Sequence, residues 1–426
     1  MRSILPIFIG VLLIMSIASP LSATTAFAEA QQGRVIDPIV STDWLSKNLN
    51  LSGLVIIDIR SPDEYSAGHI PGSINIPAEL WYINPPFGER TPWMELPPDN
   101  QLLKLLSDNG ITSDSLVVIV GSTSGPLAPL PIALYNTATA CRVAITLLYA
   151  GVTNVAILDG GYDKWVAEKR PVTTEPTVPK SVTYTGAIRK GMVVSKDYVV
   201  AKIGKATIID ARDLIVYLGF VQEPWTARAG HIPTARSLPT PWLYNIKMGE
   251  DGMAVYTTFM DVDFMRTLAT NIIGGDKDQE IIVYCGIGGY ASTTYFVLKE
   301  VLGYKNVVIY DGSAQEWTYD LSLPVVYEGL GHEYMGLQKL YKDLSAAVSS
   351  LQIEYTKLQG DYYALRGELS KLRDENQQLK TMKAELEARL ALMTPMYLTL
   401  IFVATTIVFI VLTVYLAIKL RSSKKL

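Results

Sequence analysis

Apolar residues fall along this chain in three rhythms, and each rhythm predicts a different kind of element. Through the first part of the chain, short unbroken runs of aliphatic and β-branched residues, such as 117–120 and 281–284, alternate with segments of helical periodicity such as 99–109 and 261–271. Strands apolar on both faces and separated by helices predict an α/β fold, with parallel sheets covered by helices on both faces. The crevice of such a sheet lies beyond the carboxyl ends of its strands. The second rhythm starts near residue 333. Leu337, Leu340, Leu344, Val348 and Leu351 lead through a four-residue stutter into Tyr355, Leu358, Tyr362, Leu365, Leu369, Leu372, Asn376, Leu379, Lys383, Leu386, Leu390 and Met393, with charged residues between. That spacing is a heptad seam and predicts a coiled coil over 333–393. The third rhythm is unbroken apolarity, over 4–17 and 396–418.

The α/β part is internally repeated. Leu54-Val55-Ile56-Ile57-Asp58-Ile59-Arg60 matches Ala206-Thr207-Ile208-Ile209-Asp210-Ala211-Arg212, and each copy continues to a Gly-His-Ile-Pro, at Gly68–Pro71 and Gly230–Pro233. Further on, 151–160 matches 303–312, and Trp165 and Trp317 close the copies. The Asp-x-Arg, Asn-Val and Trp pairs share one offset, which marks a duplication. Two α/β domains, 32–175 and 183–328, follow, joined by a Thr/Pro-rich linker within 173–180.

The chemistry concentrates in the second copy. The strand 281–284 ends at Cys285, and Gly286, Ile287, Gly288, Gly289 and Tyr290 lead into a helical segment over 292–302. Glycines let such a loop turn its N–H groups inward, and the helix start adds partial positive charge, so the loop predicts an anion cradle that lowers the pKa of Cys285. The nucleophile-and-cradle arrangement suits covalent catalysis, in which an anionic sulfur adduct is held by loop amides. A cysteine phosphatase loop would need an arginine at the sixth position after the nucleophile, where Ala291 stands. By strand alignment Gly121 occupies the position of Cys285 in the first copy, so that domain lacks a nucleophile. Cys141, in an apolar helical segment, reads as a core residue.

The ends of the chain predict its location. Arg2, the run 4–17 and Ala26-Phe27-Ala28 form a secretory signal over 1–28. The stretch 396–418 is long enough to cross a bilayer, and the basic tail 419–426 that follows places the C-terminus in the cytoplasm and the domains outside. A seam leading into a membrane helix predicts a parallel homodimer, and Asn376 at a core position favours two strands. With 49% hydrophobic and 18% charged residues and a net charge of −4, nothing suggests a nucleic-acid partner. Three histidines and two cysteines, dispersed, offer no metal-ligand spacing, and no cofactor is expected.

Taken together, the two Asp-x-Arg and Gly-His-Ile-Pro segments, the Cys285 loop, the Asp-Gly to Trp closing segments and the duplication resemble the rhodanese family of thiosulfate and 3-mercaptopyruvate sulfurtransferases. The resemblance covers about 35–327. It implies that Cys285 carries a sulfane sulfur as a persulfide from a small sulfur-containing donor to a thiol or cyanide-like acceptor. The first domain is then inactive. Basic residues that thiosulfate-type members carry after the cysteine and beyond Asp-x-Arg are here Gly286, Ile287 and Val216. Arg228 and Arg236 are candidate anion-binding residues in their stead, while Asp210, Arg212 and His231, duplicated in the first copy, read as structural. The competing expectation is a catalytically weak binding module displayed on a membrane-anchored stalk.

Overall fold

A computed structural model describes residues 34–84, 93–128, 131–328, 334–390 and 395–423. Two compact units, Met1–Ala347 and Val348–Leu426, divide the chain. The first contains two parallel five-stranded sheets. One has strands β1 (Ile39–Val40), β2 (Leu54–Asp58), β3 (Ile74–Asn75), β4 (Leu116–Val120) and β5 (Asn154–Leu158), in the order β1-β5-β4-β2-β3. In the other, β6 (Val193–Val194), β7 (Thr207–Asp210), β8 (Arg236–Ser237), β11 (Glu280–Tyr284) and β12 (Asn306–Tyr310) take the matching order β6-β12-β11-β7-β8. The central strands are apolar on both faces, as helices on each side demand: Val117, Val118, Ile119 and Val120 in β4 are fully buried, as are Ile281, Ile282, Val283 and Tyr284 in β11.

The remaining strands, β9 (Tyr244–Met248) and β10 (Ala254–Phe259), form an antiparallel hairpin that reaches from the second domain onto the first. Ala254 and Gly125 exchange backbone hydrogen bonds, and the Phe259 N–H donates to Asp159 Oδ1 at 2.8 Å. A reciprocal contact runs the other way. Ile83 pairs with Glu95 in the first domain, and the Leu96 N–H donates to Asp311 Oδ2 at 3.0 Å. Asp159 and Asp311 are equivalent residues of the duplication, so each domain caps the same aspartate of its neighbour.

Between the sheets lie the helix Ile132–Ala150 and the helix Gly289–Phe296, packed against each other. Their facing sides merge the interiors of both domains into one hydrophobic cluster. Ile132–Ala150 is apolar enough to cross a membrane, but 78% of it is buried in this core. Cys141 is among its fully buried residues. The linker is tied down rather than loose: Thr173 and His69 exchange backbone hydrogen bonds at 2.9 Å, and the Thr177 N–H donates to the Tyr65 hydroxyl at 3.4 Å.

One local expectation is corrected. The helix expected over 292–302 begins earlier, at Gly289, and its end, Val297–Val301, opens into a wider π-helical turn. Gly288 lies in the left-handed region (φ 97°), and this single residue reverses the chain sharply enough for the helix to start at once. Part of the glycine loop is therefore the helix's first turn.

In the second unit, the helix Tyr334–Leu390, which begins in the first, continues unbroken through Gly360 and Gly367. Its seam is solvent-exposed in the single chain; Leu351, Leu358 and Leu365 are 63, 67 and 57% exposed. A further helix, Pro395–Ser422, contains one 24-residue stretch, Thr399–Ser422, long and apolar enough to span a bilayer. The expected signal sequence 1–28, seam position Met393 and tail residues 424–426 lie outside the described residues.

Candidate active site

β11 lies at the centre of its sheet, and its carboxyl end delivers Cys285 between β7 and β12. The start of the loop is fastened from the helix Ser313–Tyr319. The Ala314 and Gln315 N–H groups donate to the Cys285 and Gly286 carbonyls at 2.9 and 3.0 Å. The Cys285 N–H donates to Ser313 Oγ at 3.2 Å. To place that oxygen, Ser313 adopts φ 52°, a left-handed conformation that a residue with a Cβ resists. With its start held there, the loop closes over the sulfur: the Gly288 N–H donates to Cys285 Sγ at 3.1 Å, and the Ala291 and Ile287 amides lie near enough to favour its charged form. The cradle therefore draws on Ala291 in the first helical turn, beyond the expected loop residues Gly286 to Tyr290.

The expected lowering of the cysteine pKa does not follow. Burial of Cys285, which is 3% exposed, pushes the thiol above its usual value, and the charge of Glu223 adds to the rise; the three amides only partly offset both. Glu223 was not anticipated. Its two carboxylate oxygens lie 2.8 and 2.7 Å, and Trp225 Nε1 2.4 Å, from the point where a Cβ on residue 286 would sit. Glycine at 286 is thus required by the wall beside it. Burial also pushes the Glu223 carboxyl up to about 7, against the lowering influence of Arg212 at 3.4 Å.

Glu223 and Trp225 belong to an insertion. Arg60 reaches the Gly68 carbonyl across 8 residues, whereas Arg212 reaches the equivalent Gly230 carbonyl across 18. The extra length carries these two side chains to the loop, and the unequal spacing between shared motifs is the sequence signal that marks them.

The first domain completes the site. Arg142, fully buried on the helix Ile132–Ala150, forms a two-pronged ion pair with Asp311 at 2.5 and 2.9 Å. Arg142 Nη1 and Asp311 Oδ1 lie 3.5 and 3.4 Å from the Cβ point of Gly288, so the pair buttresses the turn of the cradle. The Trp93 N–H donates to Gln315 Oε1, and Met94 Sδ lies 3.4 Å from the Cβ point of Gly289. Tyr135 stacks on Tyr290 with ring centroids 5.0 Å apart.

Of the other anticipated residues, Arg212 bonds Asp210 through its Nε and Nη2 and the Gly230 carbonyl through Nη2, the same set that Arg60 makes with Asp58 and Gly68. His231 stacks on Tyr217 and bonds its carbonyl, as His69 does with Tyr65. Arg228 and Arg236 are not brought to the sulfur. The Arg228 guanidinium is taken up by the carbonyls of Thr318, Leu323, Trp317 and Asp320, and that of Arg236 by Ile272 and Ile273.

A cysteine in a glycine cradle at a strand end, on one of two tandem copies of the same parallel-sheet fold, agrees with comparison to known proteins. The rhodanese-like domain profile matches residues 41–168 and 195–320. The chain belongs to the rhodanese family. A Mycolicibacterium smegmatis protein named "Putative thiosulfate sulfurtransferase" is 30% identical over 297 residues, covering 68% of this chain and 97% of that one. "Sulfur carrier protein TtuD" of Thermus thermophilus is likewise 30% identical, over 67% of this chain and 95% of its own. Among solved structures, the anaerobic ergothioneine biosynthesis enzyme of Chlorobium limicola, in complex with trimethyl histidine, aligns with a TM-score of 0.56 over 69% of this chain and 71% of that one. At 21% identity that likeness is one of fold. At the level of the family, this rhodanese is related to sulfurtransferases and sulfur carriers.

Proposed function

We propose that this rhodanese is a sulfurtransferase in which Cys285 carries the transferred sulfur as a persulfide. The observation that carries the reading is the hydrogen bond from the Gly288 amide to Cys285 Sγ, with the Ile287 and Ala291 amides beside it, in the copy that has a cysteine. Ionised Cys285 attacks the outer sulfur of a donor such as thiosulfate. The donor S–S bond breaks, its electron pair leaves with sulfite, and Cys285–S–S⁻ remains. A thiol or cyanide-like acceptor then takes the outer sulfur and restores the thiolate. The donor amides that converge on Sγ are placed to hold the negative charge of the intermediate. 3-Mercaptopyruvate is the second donor type to be tried.

The ends of the chain support a setting for this chemistry. The leader 1–28 directs secretion, the apolar helix holds the protein in the cell membrane as a single pass with the basic tail in the cytoplasm, and the seam over 333–393 pairs two copies in parallel. Domains at 32–175 and 183–328 then face the extracytoplasmic side.

The test is intact-mass spectrometry after incubation with thiosulfate or 3-mercaptopyruvate. A gain of one sulfur, reversed by cyanide and absent in Cys285→Ser, is expected. No gain from protein whose Cys285 thiol is shown to be free would favour the second reading, a binding module, for which the burial of Cys285 and the carboxylate beside it are the supporting observations.

A further inference from the structure

The charges around Cys285 bear on which sulfur compound it accepts. Among the described residues two arginines are close, and each is already matched: Arg142 by Asp311, and Arg212 by Asp210. Beyond those pairs, the carboxyl groups of Glu223 and Asp213 lie on the loop's side of the site among the described residues. The Glu223 carboxylate lies against Gly286, and its only arginine contact is the longer 3.4 Å approach of Arg212. Asp213 is half-buried and close enough for its charge, with that of Glu223 and of Cys285 itself, to bear on the Tyr135 hydroxyl. At the positions where a dianion would look for a cation stand Gly286, the half-buried Ile287 and the buried Val216. The rest of the wall is aromatic: Trp225, Tyr135 and Tyr290. The Tyr290 side chain, 5% exposed, lies with its hydroxyl beside that of Tyr135, and the Trp225 indole N–H lies beside the Glu223 carboxylate.

We propose that Glu223 and the aromatic wall select a sulfur donor that lacks a sulfite- or sulfonate-like group and carries a cation, of the class of small ammonium-bearing alkyl persulfides, reacting in the protonated R–S–S–H form. Carboxylates attract the ammonium and repel sulfite-like groups, and aromatic faces accept an organic cation. This inference rests on the sulfurtransferase reading and narrows it. The step balances: Cys285–S⁻ attacks the outer sulfur of R–S–S–H, the R–S/S bond breaks, and the departing thiolate takes up the proton that the outer sulfur loses. Cys285–S–S⁻ and R–S–H result, with one negative charge and one hydrogen on each side.

The test compares 2-aminoethyl persulfide with its sulfonate counterpart, 2-sulfoethyl persulfide, and with thiosulfate, on detergent-solubilised full-length protein. The rate at which intact mass rises by one sulfur is read for wild type, Glu223→Gln and Cys285→Ser. At about pH 8, where Glu223 is mostly ionised, the ammonium donor should load Cys285 about tenfold faster than the sulfonate donor, and Glu223→Gln should bring that ratio to within about threefold. If thiosulfate or the sulfonate donor loads wild type as fast as the ammonium donor, the charge inference is overturned and sulfur transfer stands. If no donor loads a demonstrably free Cys285, the sulfurtransferase reading falls and this inference with it. Should Glu223→Gln fail to fold, Asp213→Asn takes its place, and the wild-type ratio alone still decides.

Discussion

The two copies of the domain build the same cradle and fill it differently. In the second, loop amides meet the sulfur of Cys285. In the first, the loop after β4 wraps a carboxylate supplied by the protein itself: Asp163 accepts from the Thr123 and Ser124 N–H groups at 2.6 and 3.1 Å and from the Ser122 and Ser124 hydroxyls at 2.9 and 2.8 Å. Gln315 is the equivalent residue in the second copy and is neutral. The space for a nucleophile is also closed in the first copy, since Ile59 Cδ1 lies 3.3 Å from the Cβ point of Gly121, and Ala211 replaces that isoleucine in the second. An anion-holding strand end is thus a property of the fold, and three substitutions decide whether it is a sealed internal contact or a place for chemistry.

The largest effect expected from this contrast is all-or-none. Cys285→Ser should abolish the gain of one sulfur in the intact mass. Gly121→Cys, which restores a thiol to the first cradle, should gain none there, because Asp163 already holds the amides and Ile59 the space. Loading of the introduced cysteine would show that the two cradles are interchangeable and would remove the distinction.

Next comes the equivalent pair of aspartates. Asp311 is matched by a fully buried arginine, while Asp159 has only the Phe259 amide at 2.8 Å and Lys164 at 4.0 Å. Arg142→Met leaves Asp311 buried without its partner, and a loss of about 3–5 kcal/mol is expected from denaturant unfolding. Burial already pushes the Asp159 carboxyl up to about 6, so its charge is disfavoured in place, and Asp159→Asn should cost about 1 kcal/mol or less. Similar losses for the two variants would mean that the ion pair contributes no more than a capped loop does.

Much of this was legible before any coordinates. The duplication, the parallel sheets, the missing nucleophile of the first copy and the position of Cys285 follow from patterns that repeat within the chain, because strand periodicity and glycine spacing are local signals. What escaped depends on contacts between distant segments. Glu223 and Trp225 arrive through the longer second-copy connection between Asp-x-Arg and Gly-His, Arg142 comes from the other domain, and Ser313 is marked only by standing where the first copy has Gly161. The direction of the Cys285 pKa was misjudged for the same reason: loop amides can be read from glycines, but burial and an opposing carboxylate cannot.

A smaller asymmetry should appear in the pH dependence. Glu95, next to the capping residue Leu96, has its carboxyl pushed up to about 9 by burial first and then by Asp311. The matching position before Phe259 in the second hairpin is Thr258, which does not titrate. Because the folded-state value lies above the unfolded one, folded protein holds a proton that unfolded protein releases. This contribution is fully present below about pH 4.5 and is lost as pH rises through the folded value, at on the order of 1 kcal/mol per pH unit. Glu95→Gln should flatten that decline in unfolding experiments between about pH 5 and pH 8. An unchanged slope would place the titration elsewhere.

A small change in stability is expected from Ser313→Gly, and it sharpens the comparison most. Gly161, its counterpart, adopts φ 55° freely, whereas Ser313 holds φ 52° against its Cβ. Replacing it with glycine relieves strain of about 1 kcal/mol. It also removes the oxygen that accepts the Cys285 N–H, and leaving that buried amide unpaired costs about 1–3 kcal/mol. The two partly offset, so the denaturant midpoint should fall by an amount worth no more than about 2 kcal/mol, while the rate of sulfur loading should drop several-fold because Cys285 loses one of the bonds that fix its backbone. A fall in rate without a comparable fall in stability is what a positioning role requires. If stability drops by several kcal/mol, Ser313 is a structural strut instead, and the strained serine in place of the relaxed glycine says nothing about catalysis.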